Sequence, residues 1–143
     1  MSIDLSSVIL LDHVISKIAL LLFLLVVLKF ISKRLSKTGV SALKTFDKFF
    51  MKIHLPIGFA MIALALIHGV LSIYSIETVG WLPFVLGIVC MASCLIAVGS
   101  FYLRKKMNKS KHWLPVHQIS TIIAFVTLIG HIVLAKNPEI FLV

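Results

Sequence analysis

Four apolar stretches, at about residues 14–31, 54–76, 81–103 and 114–135, restrict this chain more than any other feature. Each is close to the roughly 20 residues that a helix needs to cross a hydrocarbon core about 30 Å thick. Lipid supplies no hydrogen bonds, so a crossing segment must satisfy its own backbone groups, which a helix does. The expected fold is therefore all-α: a polytopic membrane four-helix bundle, forming a single transmembrane domain over residues 1–143. Composition points the same way. The chain is 60% hydrophobic and 13% charged, whereas a soluble domain is near half apolar and a quarter charged.

The formal charge of +9 invites a nucleic-acid partner, and the placement of the charges argues against one. Twelve of the fourteen Lys and Arg residues fall in two stretches, Lys29 to Lys52 and Arg104 to Lys111. Both abut apolar segments, which is the positive-inside pattern of a polytopic protein. The partner implied is membrane lipid, and the expected location is a plasma or cytoplasmic membrane with both basic loops inside and both termini outside. No basic region precedes the first apolar run, so it is expected to be a retained span and not a cleaved signal peptide.

Turn residues set the boundaries. Ser36 to Ser41, with Gly39, is the expected break after the first span. Val40, Leu43, Phe46, Phe49, Phe50 and Ile53 then recur at helical spacing, with Lys44, Lys48 and Lys52 on another stripe. This segment either lies at the headgroup surface as a separate amphipathic helix or begins the second span early. Pro56 sits best in a first helical turn, so His54 lies either at a helix start or just before a kink. Glu77 to Gly80 is a short turn, Pro115 belongs to a first turn, and Asn137-Pro138 ends the last span. Trp81, Tyr102 and Trp113 stand where interfacial aromatics sit. Cys90 and Cys94, four apart in an apolar run, are expected as buried small residues and not as a disulfide.

Against this apolar background the histidines stand out. His54 and His68 lie fourteen apart in the second span; His117 and His131 lie fourteen apart in the fourth. Fourteen residues of helix rise about 21 Å in about 3.9 turns, so each pair shares nearly one face. A 3.5-residue period aligns the faces further. Spans two and four run the same way under the charge topology. His54 and His117 then share the inner level, and His68 and His131 the outer level. A histidine inside a span is costly and marks a functional candidate. Two histidines at each of two depths match the axial ligands of two stacked haems.

Small residues accompany the histidines. Gly58, Met61, Ala65 and Ser72 follow the His54–His68 face, with Gly69 adjacent; Thr121, Ala124, Leu128 and Ala135 follow the His117–His131 face. Ser120, Thr127 and Gly130 flank the latter. Small stripes also mediate close helix packing, and they bear on a flat macrocycle because the same stripe carries the histidines. Candidate partners for haem carboxylates are Arg104, Lys105, Lys52 and Arg34 inside, and Lys17 and Lys136 outside. Each is more simply a solvated charge, as are His13 and His112.

The segments "KIHLPIGFAMIALALIHGV" and "WLPVHQISTIIAFVTLIGHIVL" resemble the two haem-bearing helices of the ferric reductase and NADPH oxidase membrane domain. The plan of four helices with ligands on the second and fourth is also similar to cytochrome b of the bc-type complexes. Either resemblance implies two haem b groups, with His54, His68, His117 and His131 as ligands and electron transfer across the membrane as the activity. The larger ferric reductases have six spans and a flavin- and nucleotide-binding region. This sequence has four spans and no Gly-x-Gly-x-x-Gly stretch after a strand pattern. The electron donor is therefore expected to be separate, a flavoprotein or a quinol. The acceptor and the oligomeric state are not specified by the residues, and an oxidoreductase activity depends on the donor partner.

Two other readings compete. One is a transition-metal transporter with histidine ligands; such sites gather three or four ligands at one depth and add carboxylates or thiols. No acid falls inside the four expected spans, which counts against it. The other is a structural subunit of a larger membrane complex, with the histidines as polar core residues.

Overall fold

A computed structural model describes residues 5–38, 40–104, 112–137 and 139. Gly39, Lys105 to Lys111 and Pro138, which enter the boundary and carboxylate-partner expectations above, lie outside the described residues. The described chain is all-α. Helix α1 is Leu5–Leu35, α2 is Ser41–Leu71, α3 is the short Ile76–Val79, α4 is Trp81–Leu103 and α5 is Trp113–Lys136. Single 3-10 turns, Ser36–Thr38 and Ser72–Ser75, follow α1 and α2. Four helical segments are long and apolar enough to cross a membrane: Ser6–Thr38, Ser41–Val79, Trp81–Leu103 and Trp113–Lys136. Their outer faces carry large apolar side chains such as Leu21, Val70, Ile88, Ile122 and Val126. So much contiguous apolar surface suits lipid and not water, which is consistent with an integral membrane protein.

The chain divides into two compact units, Met1–His68 and Gly69–Val143. In the first, α1 and α2 form an antiparallel hairpin pinned at two places. Near its turn, Lys29 of α1 forms an ion pair with Asp47 of α2, and Ser32 Oγ donates to the same carboxylate at 3.1 Å. Far from the turn, Asp12 of α1 meets His68 of α2. The turn itself closes on hydroxyls. Ser36 donates to the Lys33 carbonyl at 3.0 Å and Thr38 to the Leu35 carbonyl at 2.8 Å. Both acceptors belong to the last turn of α1, where carbonyls lack helical partners.

Two boundaries are more extended than the apolar pattern alone indicates. Helix α1 begins at Leu5, so Asp12 and His13 are helical. Helix α2 runs unbroken from Ser41 through Pro56 to Leu71. The amphipathic segment after residue 40 is thus the early start of the second span and not a separate helix. Two things favour it: no Gly or Pro interrupts residues 41–55, and the Asp47 ion pair ties this turn of α2 to α1. Pro56 removes one backbone donor within that helix.

In the second unit, α4 and α5 form another antiparallel hairpin. Gly80, at a φ of +91°, separates α3 from α4 in a conformation that favours glycine. The seam between α4 and α5 is built from small residues: Cys90, Ser93, Ala97 and Ser100 on α4, Ser120 and Ala124 on α5. Without water to drive them together, membrane helices associate through such close packing.

Candidate functional site

Steps of seven organise both histidine helices. His54, Met61 and His68 lie on one line of α2, and Met61 is 6% exposed. His117, Ala124 and His131 lie on one line of α5, and Ala124 is 1% exposed. On α4, Pro83, Cys90 and Ala97 repeat the same step and meet the α5 line rung by rung. His131 Nδ1 donates to the Pro83 carbonyl at 2.7 Å. The Cys90 thiol donates to the Ala124 carbonyl at 3.4 Å. His117 Nδ1 donates to the Ala97 carbonyl at 2.8 Å. A seven-residue repeat keeps one seam facing its neighbour along the whole hairpin, so the outer two rungs can both be histidine.

A carbonyl only accepts, so each of these rings carries its proton on Nδ1. In the neutral ring the lone pair is then on Nε2, on the far side of the ring. Ligating histidines are commonly oriented this way, with the second ring nitrogen donating to a carbonyl or carboxylate. Space is tight around His131: a Cβ placed on Gly87 would come within 3.3 Å of its Nδ1. Glycine at 87 is what lets the ring lie against α4. One turn along α4 from Ala97, Ser100 Oγ donates to the same Ala97 carbonyl at 2.7 Å. Thr121 Oγ1 donates to the His117 carbonyl at 2.8 Å, so its hydroxyl serves its own helix.

His68 is held differently. Its Nδ1 lies 2.7 Å from Asp12 Oδ1, with both side chains half-buried. The expectation that no acid enters a span is therefore corrected. Asp12 lies inside α1, and Asp47 inside α2, because both helices extend beyond their most apolar stretches and each acid finds a partner across the hairpin. His54 is half-buried on α2.

The other expected site residues separate into two groups. A Cβ at Gly58 or Gly69 would meet nothing within 4 Å, so neither glycine is a close helix contact. Ala65 is half-buried on the same helix. Ala124 instead fills the α4–α5 seam. Gly130 is also a packing glycine, where an added Cβ would come within 3.1 Å of Leu86 Cδ1. Arg104 is exposed at the end of α4, its guanidinium 4.1 Å from the Phe101 ring centroid and 6.0 Å from that of Trp113. Arg34 lies 5.3 Å from the Phe30 ring, and Lys52 is exposed. Cys90 and Cys94 are both reduced thiols.

Asp12, Gly87, Pro83 and Ala97 were not singled out by sequence. Pairs across an antiparallel hairpin lie equally far from its turn. Lys29 and Asp47 each lie seven residues from the 36–40 break, and Asp12 and His68 lie 24 and 28 residues from it, equal to within about one helical turn. That symmetry is the signal that finds Asp12. The carbonyls of Pro83 and Ala97 carry no side-chain signature.

Among the described residues, no group of three or more His, Cys, Asp or Glu side chains gathers to hold a metal ion. Comparisons with known protein families, with curated proteins and with solved structures find no match to this chain.

Proposed function

We propose that this protein is a membrane-embedded di-haem b-type cytochrome, passing electrons across the membrane in the manner of the ferric reductase membrane domain. His54 and His117 would hold one haem iron, and His68 and His131 the other. The charge pattern places the first haem inside and both termini outside. The donor would be a separate cytoplasmic flavoprotein or a quinol, and the acceptor lies on the other side.

The observation that carries this reading is the tethering of Nδ1 on three histidines, His68, His117 and His131, to acceptors on a neighbouring helix. A structural hydrogen bond to a carbonyl in a helical seam needs only one donor, which a Ser hydroxyl also supplies. What imidazole adds is a second nitrogen whose lone pair is directed by the first. Haem, when bound, supplies a one-electron couple whose potential depends on axial ligands and burial.

The chain's own residues would do the rest. Pro83 and Ala97 fix the tautomer and rotation of His131 and His117. The seven-residue repeat sets the two histidine depths about 21 Å apart along each helix. The apolar outer faces exclude water from both levels. An added Cβ at Gly58 or Gly69 meets nothing within 4 Å, so neither position would obstruct a flat ligand laid on the histidine face of α2. Two protein nitrogens per iron would leave no vacant coordination position, which favours electron transfer over ligand binding at the metal.

A transporter reading requires several ligands at one place, and no such cluster occurs among the described residues. The test is optical. Protein purified in detergent should show a reducible b-type spectrum and two haems per chain by pyridine haemochrome. A colourless protein that takes up no haem on reconstitution overturns the proposal.

A further inference from the structure

Asp12 makes the His68 position chemically unlike the other tethered histidines. His117 and His131 donate to neutral backbone carbonyls. His68 has a carboxylate oxygen at 2.7 Å from Nδ1. A carboxylate accepting from Nδ1–H pulls the proton toward itself and pushes electron density toward Nε2, raising the basicity of the ligand. Charge-assisted hydrogen bonds are roughly twice as strong as neutral ones. A half-buried pair is also screened less by solvent than an exposed one. Both effects favour the more positive, oxidised form of a metal bound at Nε2.

Resting on the cytochrome reading above, we propose that Asp12 is a positioning residue that makes the haem held by His68 the lower-potential of the two. The electron held at that end is then the more strongly reducing one. This matches an acceptor that is itself hard to reduce, and it makes the two levels inequivalent although their histidine spacing is identical.

A purely structural Asp12 would only tie α1 to α2. Asn can accept the same hydrogen bond through its amide oxygen, at nearly the same size, without the charge. The discriminating readout is therefore the potential and not folding or turnover. Spectroelectrochemical titration of wild-type protein should resolve two one-electron steps. In D12N the lower midpoint should rise by at least a tenfold change in the oxidised-to-reduced preference, about 59 mV for a one-electron couple, while the upper midpoint stays. D12E should return the lower midpoint toward the wild-type value. Full haem content with neither midpoint moved in D12N, or with both moved equally, overturns the proposal. Independently of how D12N folds, H68A should remove the lower-potential step and keep the upper one. Loss of the upper step instead overturns the proposal. Wild-type protein that binds no haem sinks the cytochrome reading itself, an outcome told apart by haem content alone.

Discussion

Helices α1–α2 and α4–α5 are both antiparallel hairpins, and each carries on its second helix a histidine pair at the same spacing. The means of holding them differ. In α4–α5 the acceptors are backbone carbonyls, of Pro83 and Ala97, and the seam is lined by Ala, Ser and Cys. In α1–α2 the ties are side chains, Asp12 to His68 and Lys29 and Ser32 to Asp47. A carbonyl in a helix cannot be deleted by substitution at its own position, so the second hairpin is sensitive to shape and indifferent to charge. The first is sensitive to charge and offers open space where the second is tight.

The largest effect should come from the charged tie of the first hairpin. Lys29 is 8% exposed; removing one partner of a buried ion pair costs about 3–5 kcal/mol, and here Asp47 keeps the Ser32 hydroxyl and lies 4.0 Å from Lys33 Nζ, which sets the expected cost toward the low end. Lys29→Ala should lower unfolding stability in detergent by that order, read from thermal or denaturant unfolding. The double variant Lys29→Leu/Asp47→Leu should recover most of it, since two apolar residues leave no stranded charge. A single variant as stable as wild type would mean that the pair is solvated and that the first hairpin rests on packing, like the second.

The next effect belongs to the second hairpin and depends on shape alone. Gly87→Val places branched atoms against a ring nitrogen that even a Cβ would approach to 3.3 Å. The ring must rotate away and lose the Pro83 carbonyl. Overpacking costs about 1–3 kcal/mol. Under the cytochrome reading, one of the two haems should also be lost, measured by pyridine haemochrome. Gly69→Ala, where an added Cβ meets nothing within 4 Å, should instead be neutral or stabilising in the haem-free protein, by about 0.5–1 kcal/mol through helix propensity. Equal damage from both would erase the contrast between tight and open hairpins.

The division between what the sequence discloses and what it hides follows the same contrast. Helix boundaries at Trp81 and at the 36–40 break are legible because Gly, Ser and interfacial aromatics act locally. The histidine pairs are legible because a polar ring is conspicuous on an apolar helix. The early start of α1 and the continuity of α2 through Pro56 are not, because both depend on partners across a hairpin: Asp12 with His68, and Asp47 with Lys29. An acid near an apolar run reads as a terminus until its partner is placed. The role of Gly87 is hidden more deeply. A glycine in a span suggests close approach in general, and only the register of α4 against α5 says that a histidine is what approaches. Backbone acceptors are hidden altogether, since every residue has a carbonyl.

Smaller again is the consequence of filling Gly130. A Cβ there would lie 3.1 Å from Leu86 Cδ1, the flexible tip of a side chain that can shift by a few tenths of an ångström. Gly130→Ala should therefore cost less than about 1 kcal/mol and leave the His131–Pro83 bond in place, with haem content unchanged. Loss of a haem from this variant would show that the fit around His131 is set by the whole seam and not by Gly87.

The smallest effect should fall at the middle rung. Cys90 donates to the Ala124 carbonyl at 3.4 Å, and a thiol is a weak donor. The carbonyl also accepts from Thr127 Oγ1 at 3.2 Å, so removing the thiol does not leave it without a partner. Cys90→Ala should change stability by about 1 kcal/mol or less. Haem content and both midpoint potentials should stay at wild-type values. The rung is equivalent by repeat to the two histidine rungs and differs from them only in chemistry, so it is the internal control for both hairpins. If Cys90→Ala displaced a haem or moved a potential, seam geometry alone would govern the site. The separate treatment of carbonyl-held and carboxylate-held histidines would then lose its basis.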